Sequence, residues 1–188
     1  MNATPSTPQK PASAVYIVRP TAKPPSLNDN WYNPVWKPAE TAEVRHFRPE
    51  SSAHHPRTSV RLLHSAKGIS GIFRVEDCYV RCLRTEYQSD VWKDSCVEFF
   101  AQPKPDRGYI NFEFNCGGAF LCSYIVNPER TPTGFKEFTR IPREIGRRVQ
   151  TRGSMPRALK LEITRPATWT LRFFIPFAVF EHYVGPLG

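Results

Sequence analysis

The chain has 188 residues, 40% of them hydrophobic and 13% aromatic, which is enough for one domain with a core and too few for two ordinary ones. It carries 26 Lys+Arg against 17 Asp+Glu, a formal net charge of +9 that permits an acidic partner but bears on association rather than on fold. No apolar run approaches the roughly 20 residues of a membrane span, and 19 prolines argue against long helices and for short strands joined by turns.

Residues 1–26 are rich in Pro, Ser, Thr, Ala and Lys and read as a flexible leader, interrupted by one strand candidate at 14–18. Met1 is followed by neither a basic start nor an apolar stretch, so no signal peptide is visible. As written the chain begins in the cytoplasm; a start lying further upstream would allow secretion. Residues 27–188 form the expected domain. Trp31 and Trp36 near its beginning are expected to serve as core or edge packing, and the loop at 48–57, with His54-His55-Pro56, to be solvated.

From Thr58 onward short β-like runs follow one another: 59–64, a turn at Lys67-Gly68, 72–76, 95–101, a Pro-rich turn, 109–115, a turn at Gly117-Gly118, and 120–126. Two further runs, 159–164 and 170–175, read as a pair around Pro166. Only 176–183 reads as a short helix, with Pro176 at its start and Gly185 past its end. Such spacing predicts an all-β, antiparallel β-sandwich with one short C-terminal helix.

Alternation is clearest at 109–115. Ile110, Phe112 and Phe114 share one face, and Asn111, Glu113 and Asn115 the other. In the run before it, Val97 and Phe99 oppose Glu98 and Phe100. One sheet is thus expected to turn apolar groups inward and carboxylates and amides outward, next to Trp92.

The five cysteines, Cys78, Cys82, Cys96, Cys116 and Cys122, are odd in number and contain no Cys-x-x-Cys pair. That argues for reduced thiols, against a disulfide framework and against a zinc site. Cys116 and Cys122, flanking Gly117-Gly118, are the one disulfide candidate. His46, His54, His55, His64 and His182 show no helical or finger-like metal spacing.

The stretch Val91-Trp92-Lys93-Asp94-Ser95-Cys96-Val97-Glu98-Phe99-Phe100 resembles the signature of family 9 carbohydrate-binding modules, in which a Glu follows the Trp by six residues. Ile72 to Asp77, Tyr109 to Asn115, and Asn28-Asp29-x-Trp31 are similar to further segments of that family. The resemblance covers roughly 27–187. It implies a jelly-roll-like sandwich related to DOMON-type domains, and non-catalytic sugar binding with Trp92 as stacking platform and Glu98 as hydroxyl acceptor. Glu113, Asn115 and Asn111 are the further ligand candidates. An indole face packs against the axial C–H groups of a pyranose, and a carboxylate accepts charge-assisted hydrogen bonds from its hydroxyls.

The resemblance also implies a saccharide ligand, an association with a glycoside hydrolase, and a role in polysaccharide catabolism. Asp77 is the one candidate ligand for a structural calcium; no dense Asp/Asn loop accompanies it, and no other cofactor is expected. Sugar binders of the family carry Arg where this chain has Glu113, so the pattern of hydroxyls recognised must differ. They also continue past the Gly-Pro-Leu segment to a second Trp, which makes a C-terminally truncated fragment the expectation.

Two other functions compete. Glu98 and Glu113 as cross-strand neighbours about 5 Å apart could serve a glycoside hydrolase. The basic run Arg140, Arg143, Arg147, Arg148, Arg152, Arg157 could contact nucleic-acid phosphates; with no recognised nucleic-acid fold, a solvated face is the preferred reading.

Overall fold

The computed structural model describes residues 15–188. Two sheets, antiparallel except for one short parallel pair, face each other across one core, and the fold is the expected all-β sandwich. The first sheet runs β1 (Arg19–Pro20), β3 (Arg57–Ser65), β4 (Gly68–Asp77), β12 (Ala167–Pro176), β10 (Gln150–Gly153), with β2 (Ala42–Val44) also on the β3 edge. The second runs β6 (Cys96–Ala101), β7 (Tyr109–Asn115), β8 (Phe120–Thr131), β9 (Gly134–Arg140). A small ribbon joins β5 (Val80–Cys82) to β11 (Leu159–Ile163).

The core is built by the inward-facing residues that alternation marks. Ile110, Phe112 and Phe114 of β7 are fully buried, and they meet Phe73, Leu171 and Phe173 from the opposite sheet. Phe114 stacks on Phe173 with centroids 5.3 Å apart and rings 8° from parallel, within the favourable range for aromatic pairs. Gly71 is required here by close approach: a Cβ at that position would stand 2.2 Å from Cζ of Phe173. The outer face of the first sheet is covered by a second cluster, in which Trp31 and Trp36 pack on Leu63 and Ile72. Both tryptophans are core, as expected. Arg61 lies over the Trp31 ring at 4.3 Å and donates to the Trp31 carbonyl at 3.0 Å.

Several local expectations change. The strand candidate at 14–18 begins outside the described residues; from Val15 the chain is extended without pairing, and pairing starts at Arg19, parallel to β3. The Tyr16 hydroxyl accepts from the Leu62 amide at 3.0 Å, so the end of the expected leader is fastened to the sheet. The runs at 159–164 and 170–175 do not pair with each other: β11 pairs with β5, and β12 lies between β4 and β10. Pro166 separates two sheets instead of turning a hairpin. The C-terminal helix α2 (Phe177–Val184) ends at Gly185, whose φ of 76° is a left-handed value that favours glycine. A short helix α1 (Arg143–Gly146) precedes β10.

Cys116 and Cys122 do not face one another. The Cys116 thiol donates to the Arg81 carbonyl at 3.5 Å, and Cys122 Sγ contacts the Tyr87 hydroxyl at 3.5 Å. All five cysteines are free. No helix among the described residues is long and apolar enough to cross a membrane.

Candidate functional site

The outward face of the second sheet forms the floor of a cleft of about 810 Å³. Register places its side chains in two rows. Glu98, Glu113 and Leu121 lie opposite one another across β6, β7 and β8; Phe100, Asn111, Ser123 and Arg140 do so across all four strands. Every one of these residues lines the cleft. Alternation explains why: successive residues of a strand point to opposite faces, so the partners of the buried phenylalanines must point out.

Trp92 stands at the rim and is 56% exposed. It sits in a single 3-10 turn, Val91–Lys93, whose Val91 is buried and anchors the turn. Lys93 Nζ lies 4.9 Å above the indole, held by Asp90 at 2.9 Å. The loop carrying the turn is tied down by the rest of the signature. Asp94 Oδ2 accepts from the Arg84 amide at 2.8 Å and from Asn115 Nδ2 at 3.0 Å. Ser95 Oγ donates to the Tyr79 carbonyl and accepts from the Arg81 amide, each at 3.1 Å.

Asn115, unlike Asn111, does not line the cleft. It is completely buried, its Nδ2 donates to the Arg84 carbonyl at 2.7 Å and to Asp94, and its Oδ1 accepts from the Ala119 amide at 2.9 Å. The physical reason is position: Asn115 ends β7, where the turn to β8 and the Arg84 loop fold over the face that stays open at Asn111 and Glu113. Trp92, Glu98, Glu113 and Asn111 are brought together; Asn115 holds the frame around them.

The two carboxylates differ. Burial in the cleft floor and the adjacent Glu98 push Glu113 up to about 7, against the opposing pull of Arg130, Asn111 and Arg140. Asn111 Nδ2 donates to Glu113 Oε1 at 2.8 Å, while Asn111 Oδ1 accepts from the Ser123 amide. Glu98 is raised by desolvation in the cleft, opposed by Arg48 and Arg130. At neutral pH Glu113 is thus part protonated, and its carboxyl can donate as well as accept.

Sequence reasoning missed the remaining walls. Phe135 and Phe138 come from β9, which has no clean alternation and many charges; Phe47, Arg48 and Ser51 come from the loop after β2. Arg130 lies over Phe135 at 4.0 Å. Phe47, Phe100, Phe135 and Phe138 add aromatic surface along the same cleft.

The basic run is largely spent on its own chain. Arg140 donates to the Gln88 carbonyl at 3.1 Å, Arg152 to Asn28 at 2.6 Å and Arg157 to the Thr85 carbonyl at 2.6 Å, while Arg143 lies 5.5 Å over Tyr87. Asp77 has His54 and Cys78 beside it, not a ring of oxygens. That donor set does not fit calcium, which takes about six to eight oxygen ligands.

Comparison with known proteins bears on the fold and the family. The chain is similar in structure to a Bacteroides uniformis protein to which carbohydrate binding is attributed, with a TM-score of 0.75 and 23% identity over 90% of this chain and 75% of that one. At that identity the likeness establishes the fold. No curated protein matches the chain in sequence. The model of carbohydrate-binding family 9 matches residues 37–185, a span that contains the Trp92 turn, both carboxylates and all four strands of the cleft floor. The chain belongs to carbohydrate-binding family 9, a family of non-catalytic binding modules.

Proposed function

We propose that the cleft on the second sheet is the saccharide site, with Trp92 as its stacking platform and Glu98, Glu113 and Asn111 as its polar floor. The observation that carries this reading is the exposure of Trp92 in the same cleft as two register-paired acidic side chains. A sugar offers the exposed indole an apolar face while its hydroxyls reach the floor. The Glu98–Glu113 pair then serves recognition and not hydrolysis. Glu98 accepts hydroxyl hydrogen bonds, and Glu113 accepts or donates according to its protonation.

The wider role is tethering. A module of this kind raises the effective concentration of an attached or associated glycoside hydrolase at its polysaccharide, which supports a place in polysaccharide catabolism.

Calorimetry against a panel of mono-, oligo- and polysaccharides tests the site. Trp92→Ala is expected to leave the melting temperature unchanged, because the side chain is exposed, and to weaken binding at least tenfold, about 1.4 kcal/mol. If wild type and variant bind the panel equally, the platform is wrong. If neither binds any saccharide while both are folded, the function is wrong.

A further inference from the structure

At the end of β4, away from the cleft floor, the chain gathers three side chains of different donor chemistry. His54, Asp77 and Cys78 each bring one donor atom within 4.8 Å of the other two. The Asp77 carboxylate is 5% exposed and held in place: Oδ1 accepts from the amides of Cys78 at 2.7 Å and Tyr79 at 3.1 Å and contacts His54 Nε2 at 2.8 Å, while Oδ2 accepts from Trp169 Nε1 at 3.4 Å. His54 Nδ1 lies 3.8 Å from the Cys78 sulfur. The Tyr79 ring meets the imidazole edge-on with centroids 5.1 Å apart. The three residues border a cavity of about 440 Å³, which is also lined by His55 and Glu76.

A thiol and an imidazole make the donor pair of a borderline-soft divalent ion, not of calcium or magnesium. With Zn–S near 2.3 Å and Zn–N near 2.0 Å, tetrahedral geometry separates sulfur from nitrogen by about 3.6 Å. The 3.8 Å between Cys78 Sγ and His54 Nδ1 is close to that value. Hydrogen bonds to the second imidazole nitrogen commonly orient metal-binding histidines, and here Asp77 already holds Nε2.

We infer that His54 Nδ1 and Cys78 Sγ bind zinc or a zinc-like divalent cation, with Asp77 holding the imidazole from its Nε2 side. Cys78 binds as thiolate, releasing its proton to solvent, and the cavity side leaves the remaining coordination positions to water, His55 or Glu76. The site also reaches the cleft. The loop that delivers His54 carries Phe47, Arg48 and Ser51 of the cleft wall, and Phe47 stacks on His55 at a centroid distance of 4.0 Å. A bound ion fastens this loop to the end of β4.

The test uses the full chain without a histidine tag. Zinc titration by calorimetry should give one site, weakened at least tenfold in His54→Ala, in Cys78→Ser and in Asp77→Asn. Two measurements on the wild type stand even if a variant fails to fold. Cobalt should produce a thiolate-to-metal charge-transfer band, and zinc should protect Cys78 above the other four cysteines from alkylation, read by peptide mass spectrometry. Absence of the band and of protection overturns the inference, as does zinc affinity that His54→Ala and Cys78→Ser leave unchanged. Each readout is independent of sugar binding, so failure of one assignment leaves the other standing.

Discussion

Glu113→Gln isolates the cost of placing a carboxyl in the cleft floor. The substitution keeps the side-chain volume and an oxygen for Asn111 Nδ2, and removes only the charge. In the folded chain the group is raised from 4.5 to about 7, first by burial and then by Glu98. A raised carboxyl binds its proton more tightly in the folded state than in the unfolded one. Its contribution to stability is therefore fully present below pH ~4.5 and is lost as pH rises through about 7. Between pH 5 and pH 8 that loss reaches about 2.5 kcal/mol as an upper bound, at about 1.4 kcal/mol per tenfold change in proton binding, because solvent reaching the cleft floor screens part of it. For a chain of this length it corresponds to roughly 5–10 °C in melting temperature. Thermal denaturation of wild type and Glu113→Gln at both pH values should show the variant gaining on wild type by up to that amount at pH 8 relative to pH 5. Effects of pH on groups that do not couple to Glu113 cancel in the difference. An equal difference at both pH values would refute the argument that burial and Glu98 hold a proton on Glu113.

Asn115→Ala should destabilise by about 3 kcal/mol, because it leaves the Ala119 amide and the Arg84 carbonyl without their buried partner; chemical denaturation measures the loss, and limited proteolysis should show new cuts in the 84–94 loop. Gly71→Ala should cost 1–3 kcal/mol by overpacking on the Phe173 ring, which Phe114 and Phe99 hold from other directions. Adding Phe173→Leu to Gly71→Ala should cost less than the sum of the two single changes, since both act on one space. Additive losses would place the strain elsewhere.

The parts of the fold legible in the sequence are those where one physical rule acts alone. β7 (Tyr109–Asn115) is read to the residue because one face is buried and one is open, which is the condition for strict alternation. β4 (Gly68–Asp77) lies between β3 and β12 and is buried nearly along its length, so alternation marks only part of it. β9 (Gly134–Arg140) is an edge strand with Phe135 and Phe138 three residues apart, a spacing that argues for no strand at all. The error at Pro166 has a similar source: two strand-like runs around a proline look like a hairpin, and only tertiary pairing assigns β11 and β12 to different sheets.

The candidate site divides along the same line, between what position dictates and what partners dictate. Glu98, Asn111 and Glu113 were legible because parity alone puts them on the open face. Asn115 has the same parity and the opposite fate, because the return of the Arg84 loop covers the end of β7. The signature around Trp92 is thus mostly scaffold: Asp94, Ser95 and Asn115 fix the loop so that one indole is held over a polar floor. A scaffold of this kind tolerates change in the floor itself. A change at Glu113 leaves the Trp92 loop untouched, since none of the hydrogen bonds that hold the loop involves Glu113. The same reasoning explains why spacing rules argued against zinc. The cysteine and histidine patterns that signal such sites lie close along the chain, whereas His54 meets Asp77 and Cys78 only because the loop before β3 folds back over the end of β4.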